Sequence, residues 1–162
     1  MALLRVGMAE LKTSANGDVL QALGLGSCIG LAMYDRRNHV GGMVHIMLPD
    51  SALSTRELVS PGKFADTGVE QLLKEVLGLG ASRINLDVKM VGGAEMFAFS
   101  GSDAPRLSIG KRNAEAVMEQ LKRLGLYAMA QDVGANFGRT FEVDLQTLCC
   151  TIRVVGRPPY EI

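Results

Sequence analysis

Few residues in this chain are suited to nucleophilic chemistry. Its 162 residues include two histidines, His39 and His45, and three cysteines, Cys28, Cys149 and Cys150. No Cys-x-x-Cys occurs and the histidines are far from any cysteine pair, so a closed Cys/His zinc site is not expected. The adjacent Cys149-Cys150 pair does not read as a disulfide framework. What remains is Cys/His acyl chemistry. A thiolate attacks an acyl carbon, and an imidazole takes and returns the proton.

Cys28 is the better placed of the three cysteines. It follows the run Gly24-Leu25-Gly26-Ser27. That run is no dinucleotide fingerprint, because Ile29 stands where the third glycine belongs. Nor is it a Gly-x-Ser-x-Gly elbow, because Leu25 stands two before Ser27. It reads as a loop presenting Cys28 at the start of a strand. Residues 28–34 and 39–48 form a predicted hairpin around Asp35-Arg36-Arg37-Asn38. With Tyr34 opposite His39, the ladder carries Cys28 opposite His45, on one face with Cβ atoms about 4.5–5.5 Å apart. A paired imidazole would lower the thiol pKa. Backbone N–H groups around Gly26, Ser27 and Cys28 are candidates to hold an oxyanion. Gly30, Ala32 and Gly41 on that face read as room for substrate, and Ile29, Leu31, Met33, Val40, Val44, Ile46 and Leu48 as the core face. Register alone leaves a second reading open, in which Cys28 and His45 are buried packing residues. Cys149 and Cys150 read as sheet-packing residues, and His39 as a solvated turn residue.

The elements that must position this pair point to an α+β fold. Residues 6–12 and 18–23 read as strands around a turn at Asn16-Gly17, and 51–60 as a polar loop closed by Pro61-Gly62. Ala65, Val69, Leu72, Leu73, Val76 and Leu77 form one stripe at helical period, with Gly80 as the stop. Residues 84–91 read as a strand ending at Gly92-Gly93. A second helix carries Ala114, Val117, Met118, Leu121 and Leu124, with Ser108 or Asn113 as N-cap and Gly125 beyond its end. Its Lys111, Arg112, Lys122 and Arg123 read as a solvated face. Strands over 126–133, 139–145 and 148–155 follow, and Pro158-Pro159 excludes a central strand in the tail. Hairpin-linked strands with two helices favour layered mixed or antiparallel sheets over a doubly wound parallel fold.

Composition narrows the function classes. The 17 basic and 17 acidic residues cancel, which argues against non-specific nucleic-acid binding. No apolar run approaches the roughly 20 residues that span a bilayer, so no membrane insertion is expected. A cytoplasmic protein and a single domain over 1–162 are expected.

Several blocks in fixed order carry a family resemblance. Leu23-Gly24-Leu25-Gly26-Ser27-Cys28 is followed by Gly41-Gly42-Met43-Val44-His45-Ile46-Met47-Leu48-Pro49 and Pro61-Gly62-Lys63-Phe64-Ala65-Asp66-Thr67. Then come Gly92-Gly93-Ala94-Glu95-Met96-Phe97, Ile109-Gly110-Lys111-Arg112-Asn113, Asp132-Val133-Gly134 and Gly138-Arg139. Together they closely resemble the chemoreceptor glutamine deamidases, the CheD family. The resemblance implies hydrolysis of glutamine side-chain amides on the cytoplasmic domains of methyl-accepting chemotaxis receptors, without a cofactor. It implies Cys28 as nucleophile, His45 as base, a fold like the catalytic domain of the cytotoxic necrotizing factors, and a CheC-type phosphatase as partner. The family's third catalytic residue is a threonine six before the cysteine, and Ala22 stands there. The third position is therefore open: a main-chain carbonyl or the Ser27 hydroxyl must orient His45, or catalysis is weak and the protein chiefly regulates the phosphatase. Gln21 is expected to face the other way. Residues 51–60 and 97–102 are plausible receptor contacts.

Overall fold

A computed structural model describes residues 1–54, 60–96 and 108–162. Among them, ten strands form two five-stranded mixed sheets, with two α-helices. The first sheet runs β1 (Leu3–Arg5), β3 (Val19–Leu25), β8 (Arg139–Asp144), β9 (Cys150–Arg153), β10 (Tyr160–Glu161). The second runs β2 (Leu11–Ser14), β5 (Val40–Ile46), β4 (Ile29–Asp35), β6 (Leu86–Gly92), β7 (Ala130–Val133). Each sheet has one parallel pair, β1 with β3 and β6 with β7, and is otherwise antiparallel.

Both helices cover the second sheet. Helix α1 (Ala65–Gly78) buries Val69, Leu72, Leu73 and Val76 against Leu31, Met33 and Val44. Burial at about 1.5–3 kcal/mol per large aliphatic side chain makes this face a main source of stability. Helix α2 (Ile109–Arg123) adds Val117 and Leu121 to the same core and exposes Lys111, Arg112, Lys122 and Arg123. Ser108 takes the N-cap position; Asn113 is not a cap but lies inside the helix, fully buried.

The other face of the second sheet packs on the first. Ala32, Tyr34, Met43 and Val91 meet Leu20, Ala22, Phe141, Val143 and Ile152 there. Gly30 and Gly41 are small for this packing and not, as expected, to leave room for substrate. A Cβ at Gly30 would lie 2.9 Å from Leu25 Cδ1, and one at Gly41 2.7 Å from Leu145 Cδ2.

The predicted strand over 6–12 is broken. Glu10 N–H donates to the Gly7 carbonyl and Ala9 adopts φ 65°, so the chain turns between β1 and β2 and passes from one sheet to the other. The turn after β2 makes no hairpin either, because β2 pairs with β5 while β3 pairs with β1 and β8. Short strands divided between two sheets look locally like one longer strand. Cys150 lies in the inter-sheet core as expected of a packing residue, with its thiol on the Tyr34 hydroxyl at 3.6 Å. His39 is half-buried, its Nδ1 2.8 Å from the Leu145 carbonyl.

Candidate active site

Cys28 and His45 sit where the chain crosses between the sheets. β3 belongs to the first sheet and β4 to the second. The register of β3 against β8 shifts between Ala22 and Leu25, and Gly24 at φ 57° bends the strand end. Residues 26–28 then bridge to β4. Gly93 N–H donates to the Cys28 carbonyl at 2.9 Å and Ala94 N–H to the Gly26 carbonyl at 2.8 Å. Gly92 must be glycine: φ is 120°, and a Cβ there would collide with the Cys28 carbonyl oxygen.

The hairpin register differs from the expected one by two residues. Asp35 pairs with Val40, and Gly30, not Cys28, lies opposite His45. The cause is the turn. The buried Asp35 carboxylate accepts from the Arg37 and Asn38 N–H groups at 2.8 and 2.9 Å, and His39, at φ 58°, becomes part of the loop. A shift of two preserves the face, since side chains alternate with period two. Cys28 packs on the inter-sheet core, and His45 faces Val6 of that same core. Extending the ladder by one residue makes Cys28 and His45 diagonal neighbours, a relation with about 7–8 Å between residues on a sheet face.

His45 is almost wholly buried at the end of a central strand. Its main chain is held by Glu10 and Ala9, His45 N–H donating to Glu10 at 3.0 Å and Ala9 N–H to the His45 carbonyl at 2.9 Å. Its Nδ1 lies 3.1 Å from the Val6 carbonyl. A carbonyl only accepts, so Nδ1 carries the proton and Nε2 is left as the basic nitrogen. The break in the predicted 6–12 strand is thus what brings Val6 over the ring. Ala22 is fully buried and near Gly30, and Gln21 bonds Glu142 at 2.5 Å, turned away as expected.

The electrostatics differ from the expected thiolate. Cys28 is half-buried, and burial pushes its thiol up rather than down. Burial pushes the His45 imidazole down, only partly offset by the Val6 carbonyl and the Glu10 charge. Both shifts favour the neutral forms, thiol and imidazole, near pH 7. Among the described residues, the Cys28 N–H donates to no other group.

The main-chain carbonyl expected at His45 is that of Val6, which the sequence could not single out, and two further contributors were missed: the Gly92–Ala94 segment and Asn113. Asn113 had a signal, an amide on the buried stripe of α2 one helical step from Val117. The proposed contacts at 55–59 and 97–102 lie outside the described residues. No group of three or more metal-binding side chains occurs among the described residues, and no described helix is long and apolar enough to cross a membrane.

Comparison with known proteins agrees with this arrangement of blocks. Residues 47–154 match the family model described as CheD chemotactic sensory transduction. The chain is 44% identical over 161 residues to the probable chemoreceptor glutamine deamidase CheD of Lachnoclostridium phytofermentans, covering 99% of this chain and 98% of that one. It is 42% identical to the chemoreceptor glutamine deamidase CheD of Halalkalibacterium halodurans, covering 98% of each. It is also 42% identical to the probable deamidase of Pyrococcus abyssi, over 89% of this chain and 86% of that one. Likeness of this degree across nearly the whole length places the protein in the CheD family.

Proposed function

We propose that this protein is a cytoplasmic deamidase that converts glutamine side chains of chemotaxis receptors to glutamate. The whole of 1–162 serves as one catalytic unit, with a fold related to the cytotoxic necrotizing factor catalytic domain. Cys28 Sγ attacks the glutamine Cδ while His45 Nε2 takes the thiol proton. The tetrahedral intermediate collapses as His45 returns that proton to the departing ammonia, leaving a thioester. Water, deprotonated by His45, then attacks the thioester and releases glutamate and the thiol. The Cys28 N–H, without a partner among the described residues, would hold the oxyanion with the loop at Gly26 and Ser27. No metal or organic cofactor enters any step.

The observation that supports this reading is that Cys28 and His45 fall on one sheet face, with the His45 Nδ1 held by the Val6 carbonyl. The relatives' names supply the substrate class. The Val6 carbonyl beside His45 Nδ1 supports a main-chain group in the orienting position left open by Ala22, and so favours a catalyst over a catalytically silent regulator. Binding to a CheC-type phosphatase belongs to the same proposal as an added property.

The test is peptide mass spectrometry of a chemoreceptor cytoplasmic domain after incubation with the native protein and with Cys28→Ala. Conversion of specific glutamines by the native protein alone is expected. No conversion by folded native protein would overturn the reading.

A further inference from the structure

The buried amide of Asn113 ties the two halves of the site together. Its Nδ2 donates to the Ser27 carbonyl at 2.9 Å and to the Met47 carbonyl at 2.9 Å. Ser27 immediately precedes the thiol residue, and Met47 stands two beyond His45. The side chain is fully buried, and its Oδ1 has no partner among the described residues. An apolar residue would suit this stripe of α2 better if packing were the only demand, because an unpaired buried acceptor is costly. The two donated bonds are what the position gains in exchange.

The bond to Ser27 has a directional consequence. In a trans peptide the carbonyl and the next N–H point opposite ways. The structure has no cis peptide bonds. Turning the Ser27 oxygen inward toward α2 therefore turns the Cys28 N–H outward. That N–H has no other partner among the described residues. The second bond fixes the end of β5, whose ladder to β4 stops at Ile46. Met47 N–H is itself engaged by the Lys63 carbonyl at 2.9 Å, so only its carbonyl is left for Asn113.

We propose that Asn113 is a positioning residue that orients the Ser27–Cys28 peptide as an oxyanion donor and locks the nucleophile loop to the end of the His45 strand. It touches no substrate and acts through the peptide it holds. This inference rests on the deamidase reading above.

The test compares native protein with Asn113→Ala and Asn113→Asp. The aspartate keeps the shape but loses both donors; Asn113→Ser is the fallback if either fails to fold. Four quantities are measured: kcat and KM for receptor deamidation, the rate of Cys28 alkylation by iodoacetamide, and the Cys28 amide signal by NMR. Alkylation forms no oxyanion, so it should stay within a few-fold of native. Deamidation kcat should fall about a hundredfold, the cost of a small misplacement of a reacting group, with KM little changed. The Cys28 amide signal should move more than other amides beside α2. An unchanged kcat would overturn the proposal, as would alkylation and deamidation falling in parallel, which indicates general loosening. If the native protein deamidates nothing, the deamidase reading fails on its own; a Cys28 amide signal that stays in place in Asn113→Ala then rejects the positioning role separately.

Discussion

His45 and Cys28 are held by opposite means. His45 lies inside a central strand, with β4 on one side and the Ala9–Glu10 segment on the other. Its ring is buried and anchored at Nδ1. Cys28 lies outside any strand, half-exposed, on a crossing loop fixed by bonds from Gly93, Ala94 and Asn113. The imidazole proposed as base is thus placed by a ladder that many residues share, and the thiol proposed as nucleophile by a few individual contacts. On the proposed mechanism, the group that must meet a bulky protein substrate lies at the surface, and the group that only shuttles protons lies within the body.

The largest effect should come from the nucleophile itself. Cys28→Ala should abolish glutamine conversion with little change in thermal unfolding, read by mass spectrometry and calorimetry. His45→Gln should lower kcat by about 10²–10⁴-fold, the usual contribution of a positioned base.

Contrast between ladder and loop predicts the next effect. Gly92→Ala places a Cβ against the Cys28 carbonyl and forces a strained φ. It should lower kcat about tenfold or more. It should also cost about 1–3 kcal/mol of stability in denaturant unfolding. Equal loss of activity from a substitution of similar stability cost far from the site would erase the contrast.

The pH profile separates the two groups. His45 must be neutral to accept the thiol proton, and burial holds its pKa below the ordinary 6.5. The acid limb of kcat/KM should therefore have its midpoint below that value. A limb above it would mean that the imidazolium is favoured at rest.

The smallest effect on catalysis belongs to Asp35. Burial alone would raise its pKa, but bonds from Ser82, Asn38 and Arg37 overcome this and lower it to about 2 from 3.8. Its folded pKa lies below the unfolded value. The associated stability, about 2 kcal/mol, is thus present above the unfolded pKa and lost as pH falls toward 2. Asp35→Asn should flatten this acid dependence in pH-dependent denaturant melts and reduce stability at pH 7, leaving kcat nearly unchanged.

The helices and the hairpin strands were readable from periodicity, because each buries one face against a single partner. Val69, Leu72 and Val76 mark α1 without ambiguity, and Ile29, Leu31 and Met33 mark the helix-covered face of β4. The opposite face misled. Gly30, Ala32 and Gly41 look like an open pocket in sequence but are small because another sheet lies on them. Register failed by two because the Asp35 side chain, not a backbone preference, sets the turn. The thiol and imidazole were found by type and block order. Their supports, the Val6 carbonyl and the Gly93 and Ala94 amides, are backbone groups and leave no trace in residue type.

The most direct test of the account is to trap the covalent intermediate. A chemoreceptor cytoplasmic domain is mixed with the native protein, quenched in acid, and the cross-linked peptide mapped. The account predicts a thioester between a receptor glutamine-derived acyl group and the peptide bearing Cys28, absent from Cys28→Ala. A conjugate on Cys149 or Cys150, or glutamine conversion undiminished in Cys28→Ala, would contradict it.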